Sequence, residues 1–187
     1  MILPARSSEV AGALMEFDIE MAMFPPERKE MNAILQEYYE VVIARLVADG
    51  GPYMTPEGPI EDFWRHISEF LPPKGRLALA RGSQRELVGC GTLADIGNGK
   101  GELKRLFVRT EARGTGLGRR LVEARIAEAR VMGLSTLLGD TLRLNVEMRA
   151  LYAKLGFRET PPHPESGTLR SFPELSPFMI FLRLDIS

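Results

Sequence analysis

The apolar residues of this chain recur with two periods, one typical of helices and the other typical of strands. Spacings of three and four residues predict four helices, over 27–48, 59–71, 116–133 and 145–155. Alternation, or a short apolar run between turn residues, predicts strands at 17–23, 77–81, 87–94, 102–108, 135–142, 157–159 and 178–184. Segments rich in Gly or Pro separate these elements and are predicted to be turns or loops, among them 95–101 and 161–168.

The order of these elements predicts a mixed sheet covered by helices. Strands 77–81 and 87–94 form a hairpin, and 102–108 returns antiparallel to the second of them. A helix separates 102–108 from 135–142, and since such a crossover joins parallel strands, we expect these two to be parallel. Before the first strand, Ser7 is predicted to cap a short helix.

The composition is that of an ordinary soluble globular protein. The chain has 187 residues, 44% hydrophobic and 26% charged, a length that suits one domain. No stretch reaches the ~20 apolar residues that a membrane helix needs. The N-terminus has no basic segment followed by an apolar run. We therefore expect a cytoplasmic protein with no membrane partner.

Residues that usually bind metals or form disulfides are scarce. Cys90 is the one cysteine, so an internal disulfide is excluded. Its place in an apolar run leaves two interpretations, a small buried strand residue or a nucleophile. With only His66 and His163 beside one cysteine, a usual zinc site cannot form, and no metal is expected. His66 is interpreted as a packed or surface residue of helix 59–71, with catalysis as the alternative.

The net charge of −1 hides an uneven distribution along the chain. Residues 1–40 carry eight acidic and three basic groups, whereas residues 100–130 carry nine basic and four acidic ones. The basic segment suits a polyphosphate ligand, and the acidic one either attracts a cationic substrate or forms a solvated helix face. Nucleic-acid binding is not expected, because the basic charge is confined to one loop and helix with few aromatic residues.

The basic segment contains a glycine-rich turn, Arg113-Gly-Thr-Gly-Leu-Gly118, between a predicted strand and a predicted helix. Glycine keeps side chains away, and the first N–H groups of a helix are free and lie at the positive end of its dipole. The turn is therefore predicted to bind phosphate. No Lys follows the glycines, which excludes the Walker motif, and the Gly-x-Gly-x-Gly spacing departs from the dinucleotide fingerprint. A plain glycine-rich turn is the other interpretation.

Two groups of residues together resemble the GCN5-related N-acetyltransferase (GNAT) superfamily. Arg113, Gly116 and Gly118 match the Arg/Gln-x-x-Gly-x-Gly/Ala pattern of its pyrophosphate loop, and Leu106-Phe107-Val108 matches the end of the strand before that loop. An Asn-x6-Tyr-x3-Gly-Phe element of the superfamily is matched by Asn145, Tyr152, Gly156 and Phe157. The resemblance covers residues 87–157, and the N-terminal third matches in general outline.

The resemblance implies an α/β (α+β) architecture, the GNAT fold. That fold has a central mixed, mostly antiparallel sheet of six to seven strands, flanked by about four helices and splayed between the fourth and fifth strands. It implies a single acetyltransferase domain over 1–187, with N-terminal helices and first strands at about 16–95. An acetyl-CoA-binding core at 102–157 and a C-terminal loop and last strand at 158–187 would follow. Superfamily members are often homodimers, which is a further expectation.

The resemblance also implies a reaction. It implies acetyl-CoA as co-substrate, with no metal, and transfer of its acetyl group to a primary amine of a small molecule or peptide by direct attack in a ternary complex. The alternative is a non-catalytic acyl-CoA-binding or regulatory domain. The cofactor-binding residues that it implies are Leu106, Phe107, Val108, Arg113, Gly114, Thr115, Gly116, Leu117, Gly118, Arg119, Asn145 and Tyr152.

Two catalytic residues are implied as well. Tyr152 occupies the position of the acid that protonates the leaving thiolate; the alternative is a core tyrosine. Glu102 is the candidate base for the amine, directly or through water, and its alternative is a surface glutamate or a salt-bridge partner of Lys104. Asp140 is a second candidate base. Asn145 would hydrogen-bond the cofactor arm, cap helix 145–155, or do both.

Overall fold

The structure is a computed structural model that describes residues 16–186. Within this range seven strands form one sheet, and they are β1 (Asp18–Met21), β2 (Gly75–Arg81), β3 (Leu87–Gly97), β4 (Lys100–Val108), β5 (Thr136–Leu142), β6 (Arg158–Thr160) and β7 (Met179–Asp185). The α-helices of the same range are α1 (Arg28–Ala48), α2 (Glu57–Arg65), α3 (Leu117–Val131), α4 (Val146–Lys154) and α5 (Gly167–Ser171). The helix predicted after Ser7 lies outside the described residues.

The sheet is mixed and mostly antiparallel, with the strand order β1-β2-β3-β4-β5-β7-β6. β4 and β5 are the parallel pair, and they pair only from Lys100 opposite Thr136 to Leu103 opposite Gly139. Beyond that point β5 continues along β7, and β4 continues along β3. The two central strands therefore separate in a V, and the predicted splay between the fourth and fifth strands is confirmed.

A β-bulge in β4 lies where the two strands separate. Opposite β3, Lys104 pairs with Thr92 and Phe107 pairs with Cys90, so β4 carries one residue more than its partner over this interval. The backbone of Arg105 has a φ of 54°, the left-handed region that few non-glycine residues adopt. A bulge bends its strand and increases the local twist, which explains why β4 leaves β5 here.

Helices cover both faces of the sheet. The alternation of β2 separates two hydrophobic clusters, because Ala78 and Ala80 belong to one and Leu77 and Leu79 to the other. α3 buries its apolar side on the first face, with Leu117, Leu121, Val122, Ile126 and Ala129. α1 and α2 cover the second face with Met31, Ile34, Leu35, Ile60 and Phe63. Each fully buried Leu, Ile or Phe stabilises the fold by ~1.5–3 kcal/mol.

The predicted turn over 95–101 is wrong in extent. β3 runs on to Gly97 and β4 begins at Lys100, so the turn is only Asn98 and Gly99. Both have positive φ, 54° and 70°. Asn-Gly is the dipeptide that the two-residue hairpin turn prefers. The hairpin therefore continues to this turn, beyond the apolar residues that predicted β3.

Two further boundaries differ from the prediction. Helix 59–71 is divided: α2 ends at Arg65, His66 leaves helical geometry, and a 3-10 turn follows at Ile67–Phe70. The loop predicted over 161–168 ends early, because α5 begins at Gly167. Ser166 caps that helix, since its Oγ accepts from the N–H of Leu169 at 3.2 Å.

Candidate active site

A cavity of about 130 Å³ opens where β4 and β5 separate. Three of the residues predicted for the site, Leu106, Asn145 and Tyr152, line it, and Asp140 lines it from β5. The wall contributed by α1 and by the C-terminal segment includes Tyr38, Tyr39, Arg45, Thr168, Phe172 and Leu175. The V in the sheet thus brings together side chains that lie far apart in sequence.

A second cavity, of about 320 Å³, contains the other predicted catalytic residue, Glu102. The residues that line both cavities are Asp62, Lys104, Arg105, Gly167 and Ser171. Tyr152 and Glu102 therefore lie in adjoining cavities that share one wall.

Tyr152 is buried on α4 and is 5% exposed. Its ring packs edge-on against Phe157, with ring centres 4.7 Å apart. Burial raises the pKa of the Tyr152 phenol above its ordinary value, while the positive charge of Arg125 acts in the opposite direction. The phenol is thus protonated at neutral pH and lines the cavity in which a proton donor is expected.

Glu102 is 4% exposed and fastens the C-terminal segment to the sheet. Its Oε1 accepts from the backbone N–H of Gly167 at 2.8 Å, and its Oε2 makes no hydrogen bond within the described residues. The predicted alternative of a salt bridge to Lys104 is not formed, because Lys104 Nζ donates instead to Thr168 Oγ1 at 2.7 Å. One carboxylate oxygen therefore holds the backbone, and the other is available to the cavity.

Asp140 is fully engaged by the same segment. Its Oδ2 accepts from Ser166 Oγ at 2.8 Å and its Oδ1 accepts from Thr168 Oγ1 at 3.0 Å. Because both oxygens already accept, Asp140 is a weaker candidate for a base than Glu102. Together the two carboxylates hold residues 166–168 beside the wall that the two cavities share.

The glycine-rich turn has the geometry of an anion site. Gly114 and Gly116 have φ values of 76° and 83°, and Gly116 is the N-cap of α3. None of the backbone N–H groups from Gly114 to Arg119 donates to another group of the described chain. A helix start with free N–H groups carries partial positive charge, so this turn can hold a phosphate without further rearrangement.

The side chains of this turn are partly occupied elsewhere. Arg113 Nε donates to the carbonyl of Val108 at 3.0 Å, and its guanidinium lies 5.7 Å from the centre of the Phe107 ring. Thr115 Oγ1 donates to the carbonyl of Ala112 at 2.7 Å. The other residues of the turn that were predicted to bind the cofactor differ in exposure. Leu117 is buried in the core, Gly118 is half-buried, and the exposed Arg119 forms an ion pair with Glu123 at 2.7 Å. The backbone, more than the side chains, offers this turn to a ligand.

Asn145 does not cap α4 with its side chain, which corrects one of the two predicted roles. Its Oδ1 accepts from Arg45 Nη1, and its Nδ2 donates to Thr141 Oγ1 at 3.1 Å. The amide is thus held in the cavity wall between α1 and β5. Its predicted contact with the cofactor arm stays a proposal.

Sequence reasoning missed Arg105, which lines both cavities from the bulge. The side chain is 7% exposed, Nε donates to Tyr39 Oη at 3.1 Å, and Nη2 lies 3.7 Å from Asp62 Oδ2. Burial opposes its charge, but Tyr39, Tyr38 and Asp62 outweigh burial and raise the pKa of Arg105. An arginine in a strand is normally exposed, so nothing in the sequence marked Arg105 as a site residue. Its place in the bulge shows only in the structure, as a positive φ.

Cys90 is fully buried in β3, as one of its two interpretations predicted. Its Sγ lies 3.5 Å from the carbonyl of Arg105, and burial raises the pKa of the thiol to about 12.

The described residues contain no group of three metal-ligating side chains and no helix that is long and apolar enough to cross a bilayer.

We expect Cys90 to resist thiol reagents in the folded protein at pH 8. The thiolate is the reactive form, and a thiol with a pKa near 12 that is closed to solvent supplies almost none of it. Labelling by a chromogenic disulfide reagent should appear only on denaturation, and the single cysteine makes the signal unambiguous. Stoichiometric labelling of the native protein would contradict the buried, structural role.

Comparison with known sequences agrees with this geometry. The model of the acetyltransferase (GNAT) family matches residues 29–157. The IAA acetyltransferase of Azospirillum brasilense is 46% identical over 123 residues, which are 58% of this chain and 80% of that protein. An uncharacterised N-acetyltransferase of Schizosaccharomyces pombe is 26% identical over 170 residues, 90% of this chain and 94% of that protein.

Solved structures share the fold. A GNAT-family acetyltransferase from Staphylococcus aureus has a TM-score of 0.67 at 19% identity, covering 91% of this chain and all of that one. The Salmonella typhimurium protein yncA, solved with its cofactor acetyl-CoA, has a TM-score of 0.61 at 18% identity, covering 91% of this chain and 94% of that one. At these identities the likeness concerns the fold alone. The family model, which spans more than half of the chain, goes further: this protein belongs to the GNAT family of acetyltransferases.

Proposed function

We propose that this acetyltransferase transfers the acetyl group of acetyl-CoA to a primary amine of a small molecule or peptide, by direct attack in a ternary complex. The observation that carries the proposal is the start of α3, where the N–H groups from Gly114 to Arg119 have no acceptor among residues 16–186. A pyrophosphate supplies the negative charge and the acceptor oxygens that such a helix start favours. The guanidinium of Arg113 would also bind the pyrophosphate, after releasing its hydrogen bond to the carbonyl of Val108.

The open edge of β4 supports a role in holding the pantetheine arm. Beyond Leu103 the backbone of β4 has no strand partner on the side of β5 in the described part of the chain, so the amides of the arm can add there as an extra strand would. Leu106 lines the V beside this edge. A backbone N–H near the bulge would stabilise the oxyanion that forms when the amine attacks the thioester carbonyl.

Tyr152 and Glu102 are proposed to move the protons. Tyr152 donates its phenolic proton to the thiolate as it leaves, and its burial keeps that proton in place until then. Glu102 accepts a proton from the amine through Oε2, directly or through water, while Oε1 keeps its bond to Gly167. Their separation into adjoining cavities supports an acceptor that enters from the side of α1 and α2.

The size of the two cavities supports a small acceptor or the end of a peptide. At about 130 and 320 Å³ they admit a compact molecule rather than a folded surface. Their walls combine Tyr38 and Tyr39 with the acids Asp62 and Glu102. This mixture of aromatic faces and carboxylates is suited to an amine on an apolar stem.

A turnover screen tests the proposal. Release of the CoA thiol is followed with polyamines, amino acids, aminoglycosides and peptide N-termini, and the acetylated product is identified by mass spectrometry. We expect at least one amine to be acetylated, with intersecting initial-rate lines when both substrates are varied. Parallel lines would indicate a covalent intermediate and contradict direct attack. Silence toward every amine, with acetyl-CoA binding intact, would contradict the proposed function.

A further inference from the structure

The bulge in β4 decides which face of the sheet Arg105 lies on. In a regular strand Leu103 and Leu106 would lie on opposite faces, yet both belong to the hydrophobic cluster of the first face, under α3. The extra residue that accounts for this is Arg105, at the register shift. Its side chain therefore joins Glu102 and Lys104 on the second face, and all three line the second cavity.

Aromatic rings of α1 and α2 and of the turn after α2 surround this guanidinium. Cζ of Arg105 lies 4.9 Å from the centre of the Phe70 ring and 5.5 Å from that of Phe63. Aromatic faces attract a cation, and Nε donates to Tyr39 Oη at 3.1 Å. The charged group is thus held in one orientation, although the residue is only 7% exposed.

The guanidinium has more donors than the described residues use. Nη1 of Arg105 is buried and has no acceptor within 16–186. Nη2 lies 3.7 Å from Asp62 Oδ2, which is longer than a hydrogen bond, and both residues belong to the wall that the two cavities share. A buried cation with unfilled donors is costly, so this position favours a ligand that brings acceptor oxygens to Nη2.

The hydroxyl of Tyr39 is a second donor beside Arg105. Because Oη accepts from Nε, the hydroxyl proton is left to donate, and no acceptor for it is present in the described part of the chain. Tyr39 and Arg105 both line the first cavity. A cation next to a hydroxyl proton suits a carboxylate, which has two acceptor oxygens and a negative charge.

The same wall also carries negative charge, which favours a ligand with both signs. Asp62 lines both cavities, and Glu102 lines the second. These carboxylates repel a simple anion, and Arg105 repels a polyamine. An amino acid meets both requirements, because the acids attract its ammonium group and Arg105 attracts its carboxylate.

We propose that the acceptor carries a carboxylate in addition to its amine, and that Arg105 binds this carboxylate together with the hydroxyl of Tyr39. The preferred acceptors are then amino acids, and polyamines and simple alkylamines are poor ones. The inference rests on the proposed function, which specifies only a primary amine. Arg105 thereby determines specificity, and Glu102 keeps its proposed role as the base.

An arginine that only packs α1 and α2 against the bulge makes a different prediction. Its removal would weaken every acceptor alike, since the damage would not depend on an acid group. The readout is therefore a ratio, the kcat/KM of an amino acid divided by that of its carboxamide. The carboxamide keeps the amine and the side chain but has no negative charge.

The ratio is measured for leucine, phenylalanine and lysine, and for β-alanine and γ-aminobutyrate, in which the two groups are farther apart. We expect the wild type to prefer at least one acid over its carboxamide by about tenfold or more. Arg105→Met should bring that ratio close to one, whereas Arg105→Lys keeps the charge and should retain part of the preference. The matched control is Arg65→Met, which removes an exposed charge 3.5 Å from Asp62 that lines neither cavity and should leave the ratio unchanged.

Tyr39→Phe and a binding measurement keep the test decisive if Arg105→Met does not fold. Each acid and its carboxamide are titrated calorimetrically into the complex of the protein with CoA, which needs no turnover. Tyr39→Phe removes one donor and keeps the ring, so it should weaken binding of the preferred acid by about threefold or more and leave its carboxamide unchanged.

The outcomes separate this inference from the proposed function. Equal kcat/KM for acid and carboxamide in every pair would overturn the inference and leave acetyl transfer to amines intact. An unchanged preference in folded Arg105→Met, or failure of every acid to bind, would overturn it as well. An acid that binds through Arg105 and is never acetylated would support the inference and contradict the proposed function.

Discussion

Replacing Tyr152 with phenylalanine is expected to lower kcat by about 10²–10⁴-fold, the range that a positioned proton donor contributes. The departing thiolate of CoA is the conjugate base of a thiol with a pKa of about 8–9, so a weak acid that protonates the sulfur assists its departure. Tyr152 is the buried phenol of the cavity between β4 and β5 on the side of α4. The Kd of acetyl-CoA should change little, because the free N–H groups of the α3 turn and the open edge of β4 are untouched. Stopped assays that detect the acetylated product measure kcat, and calorimetric titration with acetyl-CoA measures its Kd.

The substitution is conservative for the fold. Phenylalanine keeps the edge-on contact with Phe157, so the temperature of unfolding should stay within a few degrees of the wild type. Tyr53→Phe is the matched control, since the Tyr53 side chain is 75% exposed and lines neither cavity. A kcat within about threefold of the wild type for Tyr152→Phe would remove Tyr152 from the role of the acid and leave solvent to protonate the thiolate.

The sequence predicted the scaffold of this site well, because its parts are local. The period of the apolar residues locates α3 and α4, and the glycines of the turn identify the start of α3. Tyr152 follows Asn145 on the same short helix, so their common placement on the cavity wall needs no long-range information. The parallel pairing of β4 with β5 follows from the crossover alone, and it is confirmed.

What the sequence could not predict depends on tertiary contacts. The bulge at Arg105 is a register shift between two strands, and no residue type in the sequence predicts it. The hydrogen bond between Glu102 and Gly167 joins positions that are 65 residues apart, and the ion pair with Lys104 that was the alternative interpretation of Glu102 is not formed. Arg125 left a trace as the one charge in an apolar helix face, but its burial against Gly91 and its hydrogen bonds to two carbonyls of other strands show only in the structure.

These contacts give Glu102 two tasks in one carboxylate. Oε1 holds the start of α5, and with Asp140 it fixes residues 166–168 beside the wall that the two cavities share. Oε2 stays available to the second cavity, which contains the proposed path of the amine. A variant that removes the proton-accepting ability but keeps the hydrogen bond can separate the two tasks.

Glu102→Gln is such a variant, and we expect it to lower kcat by about 10²-fold. The amide oxygen of glutamine can still accept from the N–H of Gly167, so the unfolding temperature and the KM of acetyl-CoA should stay near wild-type values. The loss should shrink as the pH is raised toward the pKa of the acceptor amine, about 10 for an alkylamine. Near that pH much of the amine is already neutral in solution, so it needs no base on the enzyme. Rates against pH for both proteins, with the same amine, measure this convergence.

Ser166→Ala is the complementary variant, because it loosens the same segment and leaves the proposed base in place. It removes the bond to Asp140 and the cap on Leu169, so we expect a higher KM for the acceptor and a kcat within about threefold of the wild type. If Glu102→Gln instead raises the acceptor KM at unchanged kcat, as Ser166→Ala is expected to do, Glu102 is only a fastening of α5. A loss of kcat in Asp140→Asn under those conditions would assign the base to Asp140. A loss confined to kcat in Glu102→Gln, and to KM in Ser166→Ala, would mean that one carboxylate both holds residues 166–168 and accepts the proton of the amine.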